Sequence, residues 1–96
     1  MIRIVKLSLK AEYVESFMHF FNDRKNSIRH YEGCQHLELW QDENDKNVLF
    51  TYSIWLSLDD LESYRNSDFF KETWSTVKPW FSKKPEAFSV NKLMHV

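Results

Sequence analysis

Apolar residues alternate with polar ones, or form short unbroken runs, in four parts of the chain, and this pattern predicts four β-strands. The predicted strands cover residues 2–9, 35–41, 48–56 and 86–93. Residues 48–56 (VLFTYSIWL) are apolar or aromatic at nearly every position, whereas a strand buried on one side only should alternate. We therefore expect the sheet that contains this strand to be covered on both faces.

A different period, of three, four and seven residues, predicts helices between the strands. Residues 12–30 carry apolar side chains at this spacing, which is typical of an amphipathic helix. Ser57, with Asp60 three residues later, is typical of a capping box for a short helix, and Ser67 can cap the next one. Gly33, the only glycine, lies where the first helix must end and turn into a strand.

The predicted order of elements is β-α-β-β-α-β, with the second helical segment divided in two. This order is typical of the ferredoxin-like α+β fold, in which helices pack on one face of a four-stranded antiparallel sheet. Residues 48–56 are apolar on both faces, so the face without helices would expose apolar side chains to water. We therefore predict a homodimer in which two sheets face each other, a dimeric α+β barrel.

Composition and charge narrow the class of protein. The chain has 96 residues, 28% charged and 43% hydrophobic, which predicts one globular domain spanning residues 1–96. A net charge of −1 offers no basic surface for nucleic acid or an acidic membrane. No apolar run approaches the roughly 18 residues that cross a bilayer. Cys34 is the only cysteine, which excludes an intrachain disulfide and favours a reducing cytoplasm.

Aromatic side chains concentrate in the third strand and in the helices after it, where they could wall a pocket for a flat ligand. Strand parity places Thr51 and Trp55 on a common side, and His36 and Trp40 on a common side. We predict that six substrate-binding residues converge on one cavity between sheet and helices: Trp40, Thr51, Trp55, Tyr64, Phe70 and Trp74. The alternative for each ring is that it only packs in the core.

His36 is the candidate catalytic residue. Histidine titrates near neutrality, and so suits the deprotonation of a phenol or quinol, and parity within the strand places His36 on the side of Trp40. The alternative is a surface histidine without a catalytic role. No pair of histidines has metal-ligand spacing supported by Cys or carboxylate residues, so we expect no metal site. Cys34 is expected to be a buried, inert thiol.

Three segments resemble the antibiotic biosynthesis monooxygenase family: residues 28–42 (IRHYEGCQHLELWQD), 55–65 (WLSLDDLESYR) and 67–79 (SDFFKETWSTVKP). The most specific points are the Glu32-Gly33-Cys34 run before the second strand and Trp55 at the end of the third. The resemblance implies the ferredoxin-like fold, a homodimer, and oxidation of a quinol-like or polycyclic aromatic small molecule by oxygen without metal or flavin.

A second branch of that family binds and degrades haem. Its pattern would place an Asn, a Trp and a haem-ligating His at positions held here by Val5, Tyr64 and Trp74. None of the three matches, and a Trp side chain cannot ligate iron. The resemblance therefore does not extend to haem degradation.

The branch that oxidises anthrones without a cofactor uses polar residues together with a Trp in the third strand. Of these only Trp55 matches, because the positions of an Asn, a His and a Tyr are held by Thr51, Trp40 and Leu61. A pocket for a flat aromatic ligand is still implied. Two classes of function therefore stay open: a cofactor-independent monooxygenase, and a non-catalytic dimer that binds a small ligand or acts in signalling.

Overall fold

The computed structural model describes all 96 residues, and its elements follow the predicted order. The strands are β1 (Ile2–Ser8), β2 (Cys34–Gln41), β3 (Val48–Trp55) and β4 (Glu86–Val90). The helices are α1 (Val14–Arg29), α2 (Leu58–Arg65) and α3 (Asp68–Val77), with short 3-10 helices at Ala11–Tyr13 and Lys78–Trp80. The prediction of a ferredoxin-like α+β fold with a split second helix is confirmed. The last strand is shorter than predicted, since it ends at Val90.

The sheet has the strand order β2-β3-β1-β4, and every neighbouring pair is antiparallel. The pairing brings one residue of each strand into a row across the sheet: Leu37 lies opposite Ser53, Ser53 opposite Arg3, and Arg3 opposite Ser89. Paired residues of neighbouring strands point to the same face. This row therefore forms one line of side chains on the face that the helices cover.

The core lies between that face and the helices, in two clusters. In the first, Leu7 and Leu49 of the sheet pack with Phe17 of α1 and Val77 of α3. The second surrounds Trp55 and consists of Ile28, Cys34, Leu61 and Tyr64. None of the three helices is long and apolar enough to cross a membrane.

Local capping determines where α2 and α3 begin, as the sequence predicts. The Ser57 hydroxyl accepts a 3.1 Å hydrogen bond from the backbone N–H of Asp60 and donates one of 3.0 Å to the Asp60 carboxylate. The Ser67 hydroxyl accepts a 3.1 Å bond from the backbone N–H of Phe70. Each bond satisfies an N–H that has no partner inside the helix.

Gly33 makes the turn between α1 and β2. Its φ is +87°, a region that side chains other than hydrogen rarely allow. A Cβ added at this position would also lie 2.4 Å from the Cβ of Asp60. The turn therefore requires glycine for two reasons, the backbone angle and the approach of α2.

The second face of the sheet carries no helix, and we call it the open sheet face. Its apolar side chains are Ile2, Ile4, Trp40, Phe50, Tyr52, Ile54, Phe88 and Val90. Trp40 and Phe88 are 40% and 51% exposed, although both rings are large and apolar. Large apolar side chains grouped on one exposed surface are typical of an interaction site.

Candidate ligand-binding cavity

A cavity of about 730 Å³ lies between the sheet and the helices. Small-molecule sites usually measure roughly 300–1,000 Å³, so the space is large enough for a ligand of several rings. Its floor is formed by the helix-covered side of β1 and β3, including Val5 and Thr51, and its walls by α1, α2 and α3. The strand β4 is exposed along its whole length, and Ala87 of β4 also lines the cavity. The cavity lining therefore extends to the β4 edge of the sheet.

Five aromatic rings form a continuous wall. Trp55 stacks on Tyr64 with ring centres 5.0 Å apart, and Tyr64 meets Phe70 edge-on at 5.1 Å. Phe70 stacks on Trp74 at 5.9 Å, and Trp74 contacts Phe81 at 5.4 Å. Flat aromatic faces arranged in this way favour a flat, polarisable ligand.

Trp55 is the fixed end of the aromatic wall. It is only 2% exposed, and its indole N–H donates a 3.0 Å hydrogen bond to the Ser53 hydroxyl two residues earlier in β3. A buried indole N–H needs such a partner. The ring is therefore held by packing and by a hydrogen bond at once.

Tyr64 is the one phenol of the wall. Burial raises its pKa, and the nearby Cys34 and Tyr31 raise it further, while Arg24 acts in the opposite direction. The hydroxyl is therefore neutral at physiological pH and can donate or accept a hydrogen bond. It cannot serve as a phenolate base.

One end of the cavity is polar. Arg3 lies there in the row with Ser53, and its guanidinium donates a 2.9 Å hydrogen bond to the Ser89 hydroxyl. Burial lowers the pKa of Arg3, Arg65 lowers it further, and Glu62 partly offsets both effects. Arg65 also lines the cavity and donates to Glu62 at 3.2 Å. Two guanidinium groups thus approach the same end of the cavity.

The lining as a whole has one sign of charge. Of 25 lining residues, six are Lys or Arg and none is Asp or Glu, although the chain contains 14 acidic residues. The lining contains no His or Cys either. The six basic residues are Arg3, Arg24, Arg65, Lys78, Lys83 and Lys84.

The structure brings five of the six predicted binding residues together in this cavity: Thr51, Trp55, Tyr64, Phe70 and Trp74. The prediction is wrong for Trp40. In the sheet Trp40 lies opposite Phe50, which places it on the open sheet face, where it stacks on Tyr52 with ring centres 4.8 Å apart. Trp40 and Trp55 therefore occupy opposite faces of the sheet.

The expected position of His36 beside the cavity is wrong for the same reason. His36 lies opposite Ile54 on the open sheet face and meets the ring of Tyr52 edge-on at 5.8 Å. Its imidazole is hydrogen-bonded to the carboxylate of Glu38. The sheet separates it from the cavity, so His36 is not placed to act as the base for a ligand bound there.

The register between β2 and β3 explains both errors. Gln41 pairs with Leu49, so residues of odd number in β2 face residues of odd number in β3 from Leu37 to Gln41. The pairing shifts between Cys34 and His36, so Cys34 shares the face of Trp55 while His36 does not. A slip of one residue moves every side chain of a strand to the other face.

Cys34 lies in the core beside Trp55 rather than in the cavity lining. Burial raises the pKa of its thiol, although a backbone hydrogen bond at His36 and the charge of Arg29 act in the opposite direction. A thiol held protonated is a poor nucleophile. No group of three or more His, Cys, Asp or Glu side chains is placed to hold a metal ion.

Sequence reasoning missed the polar residues of the cavity, above all Arg3, Ser53 and Arg65. A signal existed for Arg3. It is two residues from Val5 and four from Leu7, so it points to the same side of its strand and is a cation on the core side. Ser53 shares the face of Thr51 and Trp55. Arg65 had no comparable signal, since the last turn of a helix often carries an exposed arginine.

Comparison with known proteins agrees with this fold. Residues 1–74 match the family model described as "Antibiotic biosynthesis monooxygenase". A conserved protein from Methanosarcina mazei Go1 has a similar structure, with a TM-score of 0.84 and 26% sequence identity over 91% of this chain and 87% of that one.

Two further solved structures share the fold at lower identity. Rv0793 from Mycobacterium tuberculosis has a TM-score of 0.87 and 13% identity over 98% of this chain and 95% of that one. A structure described as an antibiotic biosynthesis monooxygenase has a TM-score of 0.87 and 12% identity over 98% and 100% of the two chains. None of the curated proteins compared with the chain matches it.

Proposed function

The chain belongs to the antibiotic biosynthesis monooxygenase family, and from that premise we propose that it is a monooxygenase that oxidises a quinol-like or polycyclic aromatic small molecule without metal, haem or flavin. The observation that carries this proposal is the cavity of about 730 Å³ walled by the rings of Trp55, Tyr64, Phe70 and Trp74. Its volume and its flat apolar surfaces suit an aromatic ligand of two to four rings.

The reaction that suits this cavity needs little from the protein. An electron-rich aromatic, once deprotonated, can itself reduce oxygen, so the protein must bind it away from water and orient it. In such an oxidation one oxygen atom enters the ring system and the other leaves as water, and the substrate supplies the electrons. Thr51, Trp55, Tyr64, Phe70 and Trp74 are the proposed ligand contacts.

The test is oxygen consumption with a panel of quinols and anthrones, measured with and without EDTA and with no added flavin. We expect uptake with at least one compound, unchanged by EDTA, and incorporation of one atom of labelled oxygen into the product. Uptake that appears only after iron or flavin is added would contradict the cofactor-free reaction.

We also propose that the protein is a homodimer joined through the open sheet face. The apolar side chains of this face, with Trp40 stacked on Tyr52 and Phe88 half exposed, form a surface that water solvates poorly. Stable interfaces of this kind usually bury more than about 2,000 Å². His36 and Trp40 then lie at the interface. Sedimentation equilibrium should give a dimer at micromolar concentration, and a persistent monomer would contradict the assembly.

One observation favours the second candidate, a non-catalytic dimer that binds a small ligand. The cavity lining contains no His, Cys, Asp or Glu, and thus none of the side chains whose ordinary pKa lets them accept a proton near neutral pH. The same oxygen measurements separate the two functions, because a binding protein would take up an aromatic ligand and consume no oxygen. For either function a reducing cytoplasm suits the single, buried Cys34 thiol.

A further inference from the structure

The charges around the cavity have a consequence for the kind of ligand it takes. We propose that the ligand is an aromatic molecule carrying a negatively charged group, and that Arg3 binds this group at the polar end of the cavity. The inference deepens the proposed function, on which it rests for the location of the ligand, and it applies equally to an oxygenase and to a binding protein.

Of the three arginines that line the cavity, Arg3 is the one that has no carboxylate partner. Arg24 is paired with Glu72 at 2.8 Å, and Arg65 with Glu62 at 3.2 Å, whereas no carboxylate lies within 4.0 Å of Arg3. The one side-chain hydrogen bond that Arg3 donates goes to the Ser89 hydroxyl at 2.9 Å. A guanidinium carries five N–H donors, so most of them are available to a ligand.

The surroundings of Arg3 make an anion the fitting partner. The guanidinium is partly desolvated and lies close enough to Arg65 for both effects to lower its pKa. Together they reflect the cost of holding a cation in a partly dry site beside a second cation. A carboxylate, sulfonate or phenolate bound between them would remove that cost, and guanidinium groups bind such anions through paired hydrogen bonds.

Arg24, in contrast to Arg3, has a structural role at this cavity. It donates to Thr73 at 3.0 Å and to Glu72 at 2.8 Å, and its guanidinium lies 4.9 Å from the ring centre of Phe20 and 5.3 Å from that of Phe69. These contacts join α1 to α3, and the charge of Arg24 is neutralised by the Glu72 carboxylate. Arg24 is therefore part of the wall, and Arg3 is the free cation of the floor.

The row that contains Arg3 also limits the shape of the ligand. Ser53 is the neighbour of Arg3 across the strands, and Trp55, the first ring of the aromatic wall, is two residues further along β3. Two residues of a strand span about 7 Å. The negative group must therefore be attached directly to the ring system or through one or two atoms.

Arg3 could also favour ionisation of the substrate in a cavity whose lining contains no His, Asp or Glu to act as a base. A cation beside a phenol or quinol favours its ionised form, and so lowers the pKa of the bound hydroxyl. For an oxygenase, Arg3 would help the substrate to bind as its anion, which is the species that reduces oxygen. No lining histidine or carboxylate would then be needed.

Two dyes that share one ring system test the proposal: 8-anilinonaphthalene-1-sulfonate, which is anionic, and N-phenyl-1-naphthylamine, which lacks the sulfonate. We expect the anionic dye to bind at least about tenfold more tightly, and Arg3→Gln to remove about tenfold of that affinity while changing the affinity for the neutral dye less than about twofold. Lys71→Gln, a matched loss of charge on the exposed side of α3, should change neither affinity.

Further variants keep the test decisive. Thr51→Phe, which fills the floor, should weaken both dyes and so locate them in the cavity. If Arg3→Gln unfolds, Arg65→Gln is the substitute, with the same expected selectivity for the anionic dye. Equal affinities of the two dyes for the unchanged protein, equal losses of both in the arginine variant, or binding unaffected by Thr51→Phe would each overturn the proposal.

Dye binding tests the anion site and oxygen uptake tests the monooxygenase, so either proposal can be rejected without the other. Charge-selective binding without oxygen uptake with any quinol would retain the anion site and reject the monooxygenase. Oxygen uptake with no preference for anionic dyes would retain the monooxygenase and reject the anion site.

Discussion

The indole N–H of Trp55 donates a 3.0 Å hydrogen bond to the hydroxyl of Ser53, two residues earlier on the same face of β3. Trp55 is 2% exposed and Ser53 is 7% exposed, so the bond forms almost entirely out of water. The Ser53 hydroxyl in turn lies 3.5 Å from the backbone oxygen of Arg3, to which it can donate. The bond thus connects the aromatic wall of the cavity to its polar end.

Replacing Ser53 with Ala should destabilise the protein. The substitution leaves the Trp55 N–H buried without an acceptor, and an unsatisfied buried donor costs about 1–3 kcal/mol. Urea unfolding monitored by circular dichroism measures the free energy of unfolding. Ser75→Ala, on the exposed side of α3, is the control and should change it by less than about 0.5 kcal/mol. Equal effects of the two substitutions would show that the hydrogen bond contributes nothing.

Replacing Trp74 and Trp40 separately should show that the cavity binds the ligand and that the open sheet face forms the dimer. Trp74→Ala removes a ring of the cavity wall and should weaken binding of an aromatic dye about tenfold without changing the assembly. Trp40→Ala removes a ring of the open sheet face, so it should shift sedimentation toward the monomer and leave dye affinity within about twofold. Weaker dye binding in the Trp40 variant at a concentration where it stays dimeric would contradict the opposite placement of the two rings.

Gly33→Ala should cost about 1–3 kcal/mol of stability, because alanine is strained at a φ of +87° and its Cβ would collide with Asp60. Thermal unfolding measures the loss. The double variant Gly33→Ala with Asp60→Gly separates the two causes, since only glycine at position 60 removes the Cβ and so relieves the collision but not the backbone strain. Additive effects of the two substitutions would show that the collision carries no energy.

Acid should weaken the contribution of Glu38 to stability. Hydrogen bonds from His36 and from the Trp40 indole lower the pKa of Glu38 below its ordinary value. A depressed carboxyl pKa in the folded protein stabilises it fully above the unfolded value of about 4.3, and this contribution is lost as the pH falls through the lower folded value.

The comparison of the unchanged protein with Glu38→Gln isolates this effect. The difference between their urea midpoints should be largest near pH 7 and should shrink below about pH 4. A difference that grows as the pH falls would contradict the sign of the shift. Glu43→Gln, the same substitution in the exposed turn between β2 and β3, is the control and should leave the urea midpoints nearly unchanged.

Most of the fold could be predicted because its signals are local. Ser57 and Ser67 cap helices through bonds to residues three positions later, so a short stretch of sequence contains the whole arrangement. The turn at Gly33 is equally local. The antiparallel four-stranded sheet with helices on one face followed from the known pattern of β-α-β-β-α-β chains.

The face occupied by each strand residue could not be predicted so well. Alternation within a strand shows which residues share a side, and it correctly grouped His36 with Trp40 and Thr51 with Trp55. It does not show how two strands are offset. Because β3 is apolar on both faces, burial gave no reason to prefer one offset over the other, and the polar turn at residues 42–47 allows either.

The absence of His, Cys, Asp and Glu from the cavity lining has a kinetic consequence for an oxygenase built on it. These are the side chains whose ordinary pKa values lie below about 9, so none of the lining would change charge on the acid side of the working range. In a plot of rate against pH, the fall in rate on the acid side (the acid limb) would then follow the ionisation of each substrate. A series of substrates of graded acidity would move that limb in step with their own pKa values, whereas an enzymic base would hold it at one pH.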